Sequence, residues 1–322
     1  MIDGDAGLVV VDISDPAAPV WAGYYDTPGW ANGVAIAGDY AYVACDDAGL
    51  VVVDISDPTA PVWAGGYDTP DRAHALAIAG DHAYVACDDS GLVVVDISDP
   101  TAPVWAGGYD TPYRAHALAI AGDHAYLACY AAGLVVVDIS DPANPSLAGS
   151  YDTPGRARGV AIAGDYAYVG DGSTGLVVVD ISDPTTPALA GRYNTFGYAY
   201  GVALAGDHAY VACDDAGLVV VDISDPTTPA LAGSYVTPGS AYGVALAGDH
   251  AYVADGYAGL VVVDISDPTT PALAGSYDTP GPGHANGVAI AGDHAYVGDG
   301  STGLVVVDIG DPTTPVWAGD RW

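Results

Sequence analysis

The chain has 322 residues, of which 41 are acidic and 6 basic, for a formal net charge of −35. The acids are all Asp and the bases all Arg, a poor surface for nucleic acid or an anionic membrane, both of which need Lys and Arg to displace counterions. At 51% apolar the chain is too hydrophobic for disorder, yet no apolar run approaches the ~20 residues of a membrane helix, so no membrane insertion is expected.

In chain order, the segment Gly-Leu-Val-Val-Val-Asp begins at Gly7, Gly49, Gly91, Gly133, Gly175, Gly217, Gly259 and Gly303. The spacing is 42 residues until the last interval of 44, which Gly281-Pro282-Gly283 lengthens. A fixed period in the low forties is that of a propeller blade of four short strands. In the unit that starts at Ala75, the first strand (a) is predicted over Ala75–Ile78, followed by Gly80-Asp81, a two-residue hairpin signal with Gly first. Strand b is predicted over His82–Cys87 and strand c over Leu92–Ser98. The four consecutive apolar residues of c suit a strand covered on both faces by neighbouring sheets. Asp99-Pro100-Thr101-Ala102-Pro103 reads as a loop, since Pro cannot donate to a ladder. Strand d, the outermost, is predicted over Val104–Tyr109. Ala77, Ala79, Ala83 and Ala86 are small enough to let sheets approach closely near a crowded axis.

The expected fold is therefore all-β: one propeller domain, residues 1–322, of four-stranded antiparallel blades. Eight c–d pairs accompany only seven a–b hairpins, so seven blades are favoured, with eight, one incomplete, as the alternative. The half-unit at residues 1–26 is expected either to close the ring by pairing with the last a–b hairpin or to be surplus. Met1 abuts what reads as the end of a b strand, as in a piece of something longer, and no basic, apolar, small-residue leader opens the chain, so no signal peptide is expected within it.

Leu-Val-Val-Val-Asp followed by Ile-Ser-Asp-Pro resembles the LVIVD-repeat β-propeller family, over essentially the whole chain. The resemblance implies the propeller fold and an extracellular or cell-surface setting, but no particular activity, because the family is defined by its repeat.

Positions identical in every copy are assigned to architecture, and a ligand site is sought where the copies diverge. The Asp ending each c strand, from Asp12 and Asp54 to Asp308, reads as a carboxylate accepting local backbone hydrogen bonds. Antiparallel order puts the a–b and c–d loops on one, nearly constant rim and the b–c and d–a loops on the other, where most variation falls. Just before strand a the copies read Asn32, His74, His116, Arg158, Tyr200, Tyr242 and Asn286. Two positions earlier they read Trp30, Arg72, Arg114, Arg156, Tyr198, Ser240 and His284. All of these except Ser240 and Asn286 are candidate ligand-binding residues. One reading is a funnel at the channel mouth, with Arg and His donating to a small anionic or carbonyl-bearing ligand, or to a protein, and Tyr or Trp stacking on it. The other is that these Arg merely neutralise the Asp-rich b–c loops beside them.

His82, His124, His208, His250 and His294 follow the Gly-Asp turn on the constant rim. Tyr40 and Tyr166 replace them there, as a packing role would allow. Cys45, Cys87, Cys129 and Cys213 read as buried small side chains at a site given as Gly170, Ala254 and Gly298 in other copies. No cofactor is expected. Ca²⁺ is the one ion considered, at Asp3, Asp5, Asp46, Asp47, Asp88 and Asp89, although the spaced Asp-x-Asp-x-Asp-Gly pattern is missing. The d strands carry Trp21, Trp63, Trp105 and Trp317 in some copies and Leu in others, as edge covering or a protein-contact patch. No nucleophile–base motif is legible, so no catalytic residue is named. The function expected is a non-catalytic binding or interaction scaffold. The alternatives are a propeller hydrolase or lyase using His, Arg and Tyr of the funnel, or a purely structural module of a larger assembly.

Overall fold

The structure, a computed structural model, describes residues 8–12, 20–25, 27–56, 61–279, 284–291, 294–299, 303–309 and 312–317. It contains seven four-stranded sheets and one two-stranded sheet, all antiparallel. We number the four-stranded sheets I to VII by their innermost strands: Ala31–Ala37, Ala73–Ala79, Ala117–Ala121, Gly159–Ala163, Val202–Ala205, Gly243–Ala247 and Ala285–Ala291. Strands a to d follow in chain order within each. Sheet III, for example, is Ala117–Ala121, His124–Ala128, Leu134–Asp138 and Ser146–Tyr151. Innermost strands of successive sheets lie side by side, and that of VII returns to that of I. The protein is an all-β propeller.

The expected number of blades needs correction. Sheets I to VI each have an outermost strand of six residues, and these six are the complete blades among the described residues. Sheet VII ends in Val316–Trp317, which pairs only through Val307↔Trp317 and Asp308↔Val316. The chain carries more c–d segments than a–b hairpins. The third strand of sheet VII is Gly303–Asp308, paired with His294–Asp299. The early pair Leu8–Asp12 and Val20–Tyr25 forms its own two-stranded sheet, with Leu8–Asp12 lying beside Gly303–Asp308.

Strands b and d of sheet II run over His82–Cys87 and Val104–Tyr109, as predicted. Strand c ends at Asp96 rather than Ser98, because Asp96 Oδ1 accepts the Ser98 N–H at 2.9 Å and so turns the chain out of the ladder. Strand a is longer than predicted, Ala73–Ala79.

The core lies between sheets, and the two-residue period of the c strands builds it. In sheet III, Val135 and Val137 pack toward Tyr84, Leu92 and Val94 of sheet II, while Leu134 and Val136 pack toward Val169, Val177 and Val179 of sheet IV. Both faces are covered, which is why polar alternation is absent from these strands. On the constant rim the Ile139 N–H donates to the Asp123 carbonyl at 2.8 Å, tying the end of c to the a–b hairpin. On the other rim, the b–c turns of sheets I to VI each grip the segment entering the next sheet. Tyr130 and Ala157 exchange both backbone hydrogen bonds, at 3.1 and 2.9 Å. Among the described residues no helix is long and apolar enough to cross a membrane.

Candidate funnel at the mouth of the channel

Where the chain enters each innermost strand it places one side chain at the axis. Asn32, His74, His116, Arg158, Tyr200, Tyr242 and Asn286 all line one cavity of about 560 Å³, floored by the glycines and alanines that follow them and by valines. The position varies from repeat to repeat among Asn, His, Arg and Tyr, and the ring brings all seven copies of it together. The other candidates sit around them. Arg72, Arg114 and Arg156 are exposed on the rim above, Trp30 is exposed, the Tyr198 ring lies tilted 5.1 Å from Tyr200, which meets Tyr242 edge-on at 5.0 Å, and the His284 ring lies against Tyr257.

The arc from sheet II to sheet IV is polar and crowded. The His74 and His116 rings are 5.0 Å apart, and His116 is 5.6 Å from Tyr130. Burial, reinforced by Arg158, pushes His116 down to about 3. Burial also lowers His74, against the pull of Asp88 and Asp46, whose nearer carboxylate, that of Asp88, is 3.7 Å away. Both imidazoles are therefore neutral near pH 7.

The arginines divide. Arg72 Nε lies 3.1 Å from Asp47 and 3.7 Å from Asp46, and Arg114 Nε lies 3.3 Å from Asp88 and 3.5 Å from Asp89. For these two the neutralisation reading holds. Neither Arg156 nor Arg158 has a carboxylate partner among the described residues. Both guanidinium groups lie over the Tyr130 ring, at 4.8 and 5.0 Å, and that of Arg158 also faces Tyr200 at 5.6 Å. Arg158 Nε is enclosed and reaches no acceptor.

Tyr130 is the residue that a reading of the d–a loops alone misses. It occupies the b–c position held elsewhere by Asp46, Gly172, Asp214 and Gly256, each of which bridges to the next sheet in the same way. The chain there is left-handed, with φ of +28° at Asp46, +43° at Asp214 and +40° at Tyr130. A bulky side chain in that region costs about 1–2 kcal/mol. The signal was present in the sequence as the one aromatic in a column of Asp and Gly.

The LVIVD repeat model matches residues 2–27, 28–69, 71–111, 114–153, 154–195, 196–237, 238–279 and 282–320. The chain belongs to the LVIVD-repeat family. No curated protein matches it in sequence. Among solved structures, the LVIVD propeller is similar to the computationally designed Ika8 protein, with a TM-score of 0.71 at 13% identity, over 94% of this chain and 90% of that one. It is similar to AztD of Citrobacter koseri, with a TM-score of 0.66 at 14% identity over 98% and 92% of the two chains. It also resembles the Cps50 (Swd1) β-propeller domain of Myceliophteria thermophila, with a TM-score of 0.65 at 14% identity over 84% and 93%. At such identities the likeness is one of fold.

Within the LVIVD repeat the cysteines mark something other than a small-residue site. Strand pairing aligns Gly170 with Ala44 and Ala128, opposite Gly159, Gly33 and Ala117. The true equivalents of Cys45 and Cys129 are therefore Asp171 and Asp255, each four residues before the repeat's Gly-Leu-Val. Every one of these side chains meets the Thr of the preceding Asp-Thr-Pro or its counterpart. Thr27, Thr69, Thr111 and Thr195 hydrogen-bond the thiols, which burial raises to about 12. Thr153 and Thr237 donate to Asp171 and Asp255, which also accept the Gly155 and Gly239 N–H groups at 2.7 Å. Burial raises both carboxyls against those bonds. The column selects a partner for Thr, not small volume.

The other candidate positions of the LVIVD propeller fall as follows. Asp46, Asp47, Asp88 and Asp89 face Arg72 and Arg114, while Asp3 and Asp5 lie outside the described residues. Among the described residues no group of three or more His, Cys or Asp side chains is placed to hold a metal ion. His82, His124, His208 and His250 each lie 6.3–6.5 Å from the Tyr two positions on. The Trp63 and Trp105 rings sit on Gly66 and Gly108 and stay half exposed.

Proposed function

We propose that the protein is a non-catalytic binding module whose ligand, a small anionic or carbonyl-bearing molecule or a projecting part of a protein, enters the axial funnel on the variable rim. The observation that carries this reading is the contrast between repetition and divergence. The chain repeats its core, its Asp turns and its hairpins almost unchanged, yet the seven side chains that line one cavity read Asn, His, His, Arg, Tyr, Tyr, Asn. Divergent loops on a rigid frame are where propeller-like folds carry specificity. A cavity of about 560 Å³ lies within the range of small-molecule sites. We propose with it an extracellular or cell-surface setting, on family resemblance alone, and a site that needs no Ca²⁺.

The test is a thermal-shift screen of the full chain against a metabolite library, with every hit retitrated on Tyr200→Ala, Tyr242→Ala and Arg158→Ala. The expected result is at least one hit recovered unchanged from the mixture and weakened by one or more of these substitutions. A hit indifferent to all three, a hit converted to product, or a library without hits overturns the proposal.

A further inference from the structure

Resting on the funnel reading above, we infer that the sector between sheets III and IV is a receptor for a single carboxylate, that of a small monocarboxylic acid, which Arg158 binds between the walls of Tyr130 and Tyr200. Three equivalent sectors of the rim differ in how their arginines are met. In two of them the rim arginine meets a pair of carboxylates from the preceding b–c turn, Asp46-Asp47 for Arg72 and Asp88-Asp89 for Arg114. In the third the turn reads Tyr130-Ala131. The same substitution that removes the counter-charge supplies an aromatic face under the two guanidinium groups of Arg156 and Arg158. It does so at a backbone position that a tyrosine occupies only at a cost.

Arg158 differs from the others in a second way: it lines the cavity itself, and its enclosed Nε reaches no acceptor in the protein. Closed to water, that Nε is closed to a ligand as well, which leaves the terminal Nη groups of Arg158 to meet one. The two ring contacts hold the guanidinium plane in place, so a planar carboxylate can be met by two parallel N–H donors without loss of side-chain freedom. His116, neutral beside it, adds hydrogen-bonding capacity without charge.

The chemistry also limits the ligand's charge. Arg158 is the one cation of the cavity wall, and the protein as a whole carries −35. A monoanion is balanced locally; a phosphate dianion would keep one charge against a strongly negative surround. The tyrosine walls favour a flat hydrocarbon body behind the carboxylate.

Three probes with one ring and three head groups test this: benzoate, benzamide and phenyl phosphate, titrated by calorimetry against the full chain. Benzoate is expected to bind, with benzamide and phenyl phosphate each about tenfold weaker or more. Arg158→Gln is expected to weaken benzoate about tenfold or more, the effect of losing one charged bidentate pair. Tyr130→Asp restores the residue found at Asp46 and Asp214, so the fold tolerates it, and it should weaken benzoate equally by handing Arg158 a carboxylate of the protein's own. Arg72→Gln and Arg114→Gln should leave binding unchanged within about twofold, since both arginines are already paired. Benzoate binding that survives Arg158→Gln, or that benzamide or phenyl phosphate equals, overturns the inference, as does no benzoate binding at all. If neutral molecules from the screen nevertheless bind through Tyr200 or Tyr242, the binding module stands and only the carboxylate receptor falls.

Discussion

The two rims of the disc are built from loops of the same chain, yet they follow different rules. On the constant rim Asp54, Asp96, Asp138, Asp180, Asp222 and Asp264 each accept the N–H of the Ser two residues on, at 2.9 Å. The hydroxyl of that Ser and, after it, this N–H hold each carboxyl below its usual range. The Asp-Pro loops that follow lie on the d strand of the preceding sheet: a Cβ at Gly149 would come within 2.5 Å of the Pro184 carbonyl and 2.8 Å of the Pro187 ring. Every sheet meets the same neighbour there, so every copy needs the same residues. On the variable rim the backbone still repeats, through bridges such as Tyr130–Ala157 and Asp214–Ala241, but the side chains point into a shared space that no neighbouring sheet fills. Identity is imposed by a packing partner, and it lapses where the partner is solvent or a ligand.

That contrast can be broken most sharply on the constant rim. Gly149→Val is expected to destabilise the protein by about 3 kcal/mol, because the atoms it meets are backbone and a proline ring that cannot turn aside, as read by denaturant unfolding. Beneath the variable rim, Thr153→Val leaves the buried Asp171 without its hydroxyl donor and is expected to cost about 2 kcal/mol by the same measurement. Asp171→Cys, which copies Cys129, should be milder.

At the funnel wall the expected effect is one of pH. His116 is held near 3 in the folded protein, below the ~6.5 of the unfolded chain. The unfolded state therefore binds the proton that the folded state refuses, and stability present at neutral pH is lost as pH falls through the window between those values. His74, lowered by burial, acts in the same direction. His116→Tyr, the residue of Tyr200 and Tyr242, should flatten the fall in Tm between about pH 7 and pH 5 relative to the parent; an unchanged slope would refute the assignment. Smallest of all, Arg72→Ala should leave the unfolding midpoint almost unchanged, since Arg72 and its nearer partner Asp47 are exposed.

The b and d strands, the turn glycines and the division into two rims were legible from spacing alone, because each depends on residues a few positions apart. The seven mouth positions were legible too, since the repeat supplies its own internal comparison. Two features were not. The extent of the last sheet depends on how equivalent c–d segments share the available hairpins, and identical sequences such as Leu8–Asp12 and Leu304–Asp308 carry no label for which one goes where. The equivalence of Cys129 with Asp171 was hidden by the resemblance of Gly170 and Ala254 to a small-residue site. The four-residue distance to the repeat's Gly-Leu-Val carried it, and the cross-strand register, Gly159 opposite Gly170, with the Thr153 contact makes it plain.

By itself, then, the sequence determined that this protein is a ring of near-identical β units with its diversity gathered at one end, because strand periodicity, hairpin chemistry and loop-breaking prolines act over short stretches of chain. Which arginine is neutralised and which is left facing the axis was decided only by tertiary structure. It turns on a b–c turn of one sheet meeting the d–a loop of the next, and Coulomb's law acts on the distance between them, not on their separation along the chain.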